Sequence, residues 1–256
     1  MFDLDGNVAV ITGGASGIGR ATAERFARAG ALVVVGDVAD ASEFSADIGG
    51  AYVRTDVSRE EDVAGLFGAA VALRGGIDVC VNCAGITVAE VPIGEGSLNA
   101  LQRAFDVNTV GVFLALKYGP RYMEDGGAIV NVSSLAAVSS LPGYAAYSAS
   151  KAAAVSLTRT AALELGPRGI RVNAVCPASV DTPMLREQEH GEIEAAIVRQ
   201  AAPLGIIAQP EHVAALVHFL AADDCPVLTG QAINLDGGLT AGTSPGAIEA
   251  IVASVA

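Results

Sequence analysis

One stretch near the start of the chain narrows the possible folds more than any other. Val8-Ala9-Val10-Ile11-Thr12 is a short apolar run, followed by Gly13-Gly14-Ala15-Ser16-Gly17-Ile18-Gly19 and then a helical stretch, Arg20 to Ala29, that Gly30 stops. An apolar run of that length bounded by turn residues reads as a buried strand. Strand, glycine turn and helix in that order aim free backbone N–H groups and a positive helix end at a phosphate. The spacing is Gly-x-x-x-Gly-x-Gly rather than the more widespread Gly-x-Gly-x-x-Gly. Set between a strand and a helix, it marks a dinucleotide site.

The rest of the chain continues the same alternation. Leu32 to Gly36 reads as a second strand with Asp37 at its end, about 20 positions past the glycine turn, where adenosine ribose hydroxyls are held. The competing reading of Asp37 is a helix cap. Ala51 to Arg54 is a third strand ending at Asp56-Val57, and Ser58 with Glu60-Glu61 carries a capping pattern for the next helix. Ile77 to Asn82 is a fourth strand running into Cys83-Ala84-Gly85, small residues that let backbone approach a ligand closely. Leu98 to Tyr122 reads as one long helix with Asn108 in its middle, either solvated or buried and functional. Ala128 to Val132 is a fifth strand with Ser133-Ser134 at its carboxyl end, and Tyr144 to Leu165 a second long helix closed by Gly166-Pro167. Ile170 to Val175 leads to Cys176-Pro177, Glu211 to Ala222 is helical, and Ala232 to Leu235 is a last strand before Asp236-Gly237-Gly238.

No linker, repeat or composition break interrupts this order. It predicts one α/β domain over residues 1–256, a doubly wound Rossmann fold whose parallel sheet has about seven strands, with helices on both faces. Residues 179–209 lack strand character and belong at the carboxyl ends of the strands, as a mobile substrate lid. Residues 242–256 form a tail.

Composition bounds the function. A 52% hydrophobic chain of 256 residues fills the core of an α/β domain, and 30 glycines suit close helix-on-sheet packing. The formal net charge is −13 with no basic run, which argues against nucleic-acid binding. The acidic start Met1-Phe2-Asp3-Leu4-Asp5 has no signal-like apolar stretch, and no apolar run is long enough to span a bilayer. With four cysteines and no secretory signal, reduced thiols and a cytoplasmic location are expected. Cys80 and Cys83 form a C-x-x-C, but Cys80 lies inside a strand and no second ligand pair exists; no metal site is expected.

Tyr147-Ser148-Ala149-Ser150-Lys151 carries the candidate chemistry. Residues four apart share a helix face, so the Tyr147 phenol and the Lys151 ammonium stand side by side. An adjacent cation stabilises the phenolate and lowers a pKa that is otherwise about 10, giving a group able to move a proton at a hydroxyl or carbonyl oxygen. Ser148-x-x-Lys151 also matches an acyl-transfer motif, whose Ser-Asp-Asn and Lys-Thr-Gly partners are absent.

Taken together, these residues resemble the short-chain dehydrogenase/reductase family in its single-domain branch. The matching positions are Thr12-Gly13-x-x-x-Gly17-x-Gly19, Asp56, Asn82-x-Ala84-Gly85, Asn108, Ser134, Tyr147-x-x-x-Lys151, Pro177 and Thr182, with Thr229-Gly230-Gln231 and Asp236-Gly237-Gly238 near the end. The resemblance covers Leu4 to about Ala241. It implies a catalytic tetrad of Asn108, Ser134, Tyr147 and Lys151. Tyr147 would be the acid/base, Lys151 would lower its pKa and bind the nicotinamide ribose, and Ser134 would hold the substrate oxygen. Asn108 would kink its helix and hold a relay water. Ser133 competes with Ser134 at a spacing off by one. The implied cofactor contacts are Gly13, Ser16, Gly17, Ile18, Gly19, Asp37, Asp56, Val57, Asn82, Ala84, Gly85, Tyr147, Lys151, Pro177, Val180 and Thr182.

Three positions depart from the family pattern: Ala178 follows Pro177 where Gly is usual, Cys83 replaces a second Asn, and Ile206 stands where many relatives carry Arg. The expected activity is hydride transfer between NAD(H) and an alcohol or ketone. NAD is expected over NADP because Asp37 repels a 2′-phosphate and no nearby base offsets it, with Ser16 where phosphate-preferring relatives carry Arg or Lys and Val38 after Asp37. The alternatives are an NADP-dependent acyl-thioester ketoreductase and a catalytically silent dinucleotide-binding regulator. Leu135, Ala136, Ala137, Val138, Leu141, Pro142 and Tyr144 make an apolar wall for a small-molecule substrate. Arg186, His190 and Arg199 in the lid are candidates for meeting an anionic group, with surface exposure the simpler fate. The family implies a homotetramer or dimer built on the two long helices, which are apolar on more than one face.

Overall fold

The computed structural model describes residues 2–255; Met1 and Ala256, the ends of the expected 1–256 domain, lie outside the described residues. In chain order the elements are β1 (Val8–Thr12), α1 (Gly17–Arg28), β2 (Leu32–Asp37), α2 (Ser42–Asp47), β3 (Ala51–Arg54), α3 (Glu60–Arg74) and β4 (Ile77–Asn82). The second half holds α4 (Leu98–Phe105), α5 (Gly111–Tyr118), β5 (Met123–Val132), α6 (Ala145–Leu165), β6 (Arg171–Pro177), α7 (Pro183–Arg186), α8 (Gly191–Ala201), α9 (Pro210–Ala221), β7 (Ala232–Leu235) and α10 (Pro245–Val255). Among the described residues the seven strands form one sheet in the order β3-β2-β1-β4-β5-β6-β7. Every neighbouring pair is parallel. The strand order reverses between β1 and β4, and a crevice opens at such a switch point at the carboxyl ends of the strands.

The two faces of the sheet follow from side-chain alternation. Ala9, Ile11, Val33 and Val35 point to one face and pack with Phe26 of α1 and Val213, Val217 and Leu220 of α9. Val8, Val10 and Val34 point to the other and pack with Leu66 and Phe67 of α3, Leu114 of α5 and Ala161 of α6. Burial on both faces explains why the strands read as continuous apolar runs rather than alternating ones. Arg171, nearly fully buried at the start of β6, donates from Nη1 and Nη2 to the carbonyls of Leu220, Ala221 and Ala222, closing the end of α9.

Several expected elements differ. The single helix over Leu98 to Tyr122 is three pieces: α4 and α5 are joined by a π turn over Asp106–Val110, and a 3-10 turn follows at Gly119–Arg121. A helical pattern on both sides of a π turn hides it, because the insertion adds one residue without changing polarity. Ser58 does not cap α3: its hydroxyl donates to Asp56 Oδ1, and Arg59 precedes the helix without a side-chain cap. β5 begins at Met123 rather than Ala128, with a register irregularity between Ile77 and Val79 of its neighbour. Residues 179–209 contain α7 and α8, and a bridge between Val180 and Ala208 ties the two ends of the segment together. Within the tail, α10 lies against α8. Among the described residues no helix is long and apolar enough to cross a membrane.

Candidate active site

The glycine turn is shaped by contacts that no side chain would tolerate. Gly13 has φ +69°, and a Cβ there would lie 2.6 Å from the Ala84 backbone nitrogen. A Cβ on Gly19 would lie 2.1 Å from the Gly13 carbonyl oxygen, so α1 starts directly against the turn. Ser16 precedes α1 without spending its side chain on a cap. Thr12 Oγ1 accepts from the Cys83 and Ala84 nitrogens at 3.2 and 3.3 Å, holding the end of β4 against the turn.

A cleft of about 500 Å³ opens above these strand ends. Gly13, Ser16, Gly17, Ile18, Gly19, Asp37, Asp56, Val57, Ala84, Gly85 and Thr182, all expected as cofactor contacts, line it. Asp37 at the end of β2 accepts from Ala15 N at 3.0 Å through Oδ2 and from Ala39 N at 2.9 Å through Oδ1, so its carboxylate is fixed at the cleft wall. The structure does not bring Asn82 to this wall: buried, it donates from Nδ2 to Asn131 Oδ1 at 2.7 Å. Thr55, Ile86, Arg103 and Asp106 line the cleft without having been expected. Thr55 follows β3 where that strand runs beside Asp37, the one signal that points to it. Arg54 stands opposite Asp37 in the strand register and Arg103 lines the cleft, and no ion pair joins either to Asp37 among the described residues.

A smaller cavity of about 150 Å³ adjoins the cleft, sharing Ile18, Thr182 and Met184 with it. Ser134, Tyr147, Pro177 and Val180 line this cavity. Ser134 and Ser133 are separated by their partners: Ser133 is buried and donates to the Lys151 carbonyl at 2.9 Å, whereas the Ser134 hydroxyl reaches the cavity and accepts from Ala136 N at 3.1 Å. Leu135, Ala136, Leu141 and Tyr144 of the expected apolar wall are present; Ala137, Val138 and Pro142 are not on it.

Lys151 Nζ lies 5.8 Å from the Tyr147 ring centroid and donates to the Val132 carbonyl at 3.0 Å. Removal from water pushes Lys151 down to about 8. The same cause pushes the Tyr147 phenol up to about 12, against a downward pull from the Ser134 hydroxyl and with an upward push from the Glu194 carboxylate. Desolvation is thus the largest influence on the phenol, while the Lys151 ammonium spends a hydrogen bond on the Val132 carbonyl of β5. Asn108 sits in the π turn, fully buried. Its Oδ1 accepts from Ile86 N at 2.8 Å, and its Nδ2 donates to the Ile86 carbonyl at 2.9 Å and to Ser150 Oγ at 3.0 Å. A Cβ on Gly85 would lie 3.1 Å from Lys151 Nζ and 3.2 Å from Asn108 Oδ1, so Gly85, Asn108 and Lys151 meet at one point.

The departures are accommodated. Among the described residues Phe2 alone of the non-glycine residues has a positive φ, so Ala178 carries no left-handed strain. Cys83 lines the cleft with a thiol pushed up to about 12 by burial, which leaves it a poor nucleophile. All four cysteines are free, and no cluster of metal-binding side chains occurs among the described residues. Arg186 is bound to Asp181 at 2.7 Å, and Arg186, His190 and Arg199 are all exposed and off the cavity wall.

Comparison with known proteins points to one family and one fold. A family described as enoyl-(acyl carrier protein) reductase matches residues 13–240. The chain is 42% identical to a cis-4-hydroxycyclohexanecarboxylate dehydrogenase of Sinomonas cyclohexanicum, over 91% of this chain and 96% of the relative. It is 40% identical to a 2,5-dichloro-2,5-cyclohexadiene-1,4-diol dehydrogenase of Sphingobium indicum, over 94% of this chain and 100% of the relative. Among solved structures, a blue fluorescent protein from a metagenomic library in complex with NADPH superposes with a TM-score of 0.85 at 32% identity, covering 93% of this chain and 99% of that one.

Proposed function

The chain belongs to the short-chain dehydrogenase/reductase family, and from that premise we propose that it is an NAD-dependent oxidoreductase interconverting a secondary alcohol and a ketone, with Tyr147 as its acid/base. The observation that carries the reading is the adjacency of the glycine-lined cleft and a cavity holding Tyr147 and Ser134. The dinucleotide fits what the residues offer: a turn closed to any side chain, an uncommitted helix start at Ser16, and a fixed carboxylate at Asp37. Gly13 to Gly19 would hold the pyrophosphate, Asp37 the adenosine ribose, and Lys151 the nicotinamide ribose. When bound, the nicotinamide takes up or supplies the hydride.

The protein's own work is orientation and proton movement. Ser134 holds the substrate oxygen at the phenol. Tyr147 accepts the hydroxyl proton in oxidation and returns it in reduction. Lys151, buried and cationic beside it, stabilises the phenolate that oxidation requires, and the remaining lone pair of Asn108 Oδ1 offers a place for a relay water next to Lys151. Residues 179–209 act as the substrate lid, since Val180, Thr182, Met184, Leu185 and Gln188 all wall the cavity. The whole of 1–256 works as one domain, and four free thiols suit a cytoplasmic location. Exposed apolar side chains on α4, α5 and α6 support a homotetramer or dimer joined through those helices.

The competing reading is an NADP-dependent reductase, favoured by the NADPH-bound neighbour. Asp37 decides between them. Two like unit charges ~4 Å apart repel by about 4 kcal/mol at an effective dielectric of ~20. Movement and counterions soften this, leaving about 2–3 kcal/mol or roughly 30- to 150-fold in favour of NAD. The test is kcat/KM with both cofactors. Asp37→Ala should weaken NAD and narrow the gap, whereas equal or better use of NADP by the unmodified enzyme would establish the reductase reading instead.

A further inference from the structure

The cavity beside Tyr147 has one charged wall residue, and it is acidic. Among the residues lining it, Glu194 alone is ionisable as an acid or base of ordinary charge; no Lys, Arg or His faces in. Glu194 sits in the first turn of α8, where the helix dipole favours a carboxylate. Its oxygens are aimed by two hydroxyl donors: Ser179 Oγ donates to Oε1 at 2.8 Å and the Tyr144 phenol to Oε2 at 3.1 Å. No cation pairs with it among the described residues.

The carboxylate is close to the reacting group. Tyr144, which holds it, stands edge-on to Tyr147 with ring centroids 6.3 Å apart, and Glu194 raises the pKa of Tyr147 directly. Gln188 lines the same wall and carries no charge. Each carboxylate oxygen keeps lone pairs after accepting one hydroxyl. An apolar cavity walled by a carboxylate and by no cation thus asks for hydrogen-bond donors and repels anions.

We infer that Glu194 is a specificity-determining residue, and that the cavity takes uncharged substrates carrying a second hydroxyl besides the reacting one. This rests on the alcohol-oxidising reading above and names its substrate class: neutral diols, against hydroxy acids, phosphates and acyl thioesters of acidic carriers.

The experiment compares 1,4-cyclohexanediol, cyclohexanol and 4-hydroxycyclohexanecarboxylate as substrates with NAD, for the unmodified enzyme and for Glu194→Gln. A hydrogen bond to a charged acceptor should favour the diol over cyclohexanol by about 10- to 100-fold in kcat/KM. The carboxylate should fall below cyclohexanol. In Glu194→Gln the diol advantage should shrink by roughly tenfold and the carboxylate should recover. A diol advantage unchanged in the variant, or a carboxylate equal to cyclohexanol in the unmodified enzyme, overturns the inference. Calorimetric binding of the same compounds to NAD-loaded Tyr147→Phe, which needs no turnover, separates the two readings. Tighter diol binding there without turnover of any alcohol by the unmodified enzyme would remove the hydride-transfer reading and keep the pocket assignment. No diol preference in binding would remove the pocket assignment itself.

Discussion

Tyr147 and Lys151 are one turn apart on α6, and burial drives Lys151 down to about 8 and Tyr147 up to about 12. Alcohol oxidation needs the Tyr147 phenolate, whose population rises about tenfold for each pH unit below 12. Its kcat/KM should therefore climb steadily from pH 6 to 9 with no plateau near 8. Carbonyl reduction needs the neutral phenol, which is present throughout that range, so it should not climb with pH. A pH–rate series in both directions checks the sign, and a profile flat from pH 6 to 9 in the oxidative direction would contradict it. The spacing of Tyr147 and Lys151 was legible from the sequence, whereas the preference for Ser134 over Ser133 came from the family resemblance alone. The balance between cation and burial was not legible, because spacing carries no information about solvent. Glu194 escaped notice for a related reason: an acidic residue early in a helix is ordinary until its neighbours Tyr144 and Ser179, distant in sequence, are seen to hold it.

Among the elements, the glycine turn and the strands were the most legible. Buried parallel strands such as Leu32–Asp37 are continuous apolar runs, and β1 leaves only one turn that can open into α1. The pieces that escaped are short or interrupted ones. α7 begins at Pro183 and spans four residues, α2 spans six, and the π turn at Asn108 sits inside an unbroken helical pattern. The turn's rigidity is open to test. Gly13→Ala combines a φ of +69° with a Cβ 2.6 Å from Ala84 N, a position where strain costs about 1–3 kcal/mol. The melting temperature should drop by about 2–10 °C, and NAD affinity by at least about tenfold if the displaced backbone cradles the phosphates as proposed. Gly65→Ala is the matched control: it lies exposed in α3 with nothing within 4 Å of the added Cβ. Removing a helical glycine there should stabilise by roughly 0.5–1 kcal/mol. Thermal unfolding that moved both variants in the same direction would show that the turn is less constrained than its contacts require.

At the scale of the whole molecule, the parallel sheet collects side chains from both halves of the sequence at one edge. Asp37 from β2, Ala84 after β4, Ser134 after β5, Tyr147 from α6 and Thr182 after β6 all reach the two adjoining hollows. The opposite side of α6 is turned outward. Leu163 is 81% exposed there, as are Leu98 (67%) on α4 and Phe113 (50%) on α5, an amount of apolar surface that a second copy would cover. Sedimentation at micromolar concentration should therefore give a dimer or tetramer, and a monomer would refute the assignment of those helices to an interface. The central claim is narrower: that the fold exists to bring one phenol to a substrate oxygen beside a bound dinucleotide. The most direct measurement is single-turnover alcohol oxidation by Tyr147→Phe, with NAD affinity measured on the same preparation. The account predicts a loss of about 10²- to 10⁴-fold in the chemical step with NAD binding essentially unchanged. Near-normal turnover would contradict it, because the proton would then leave by a route that does not pass through Tyr147.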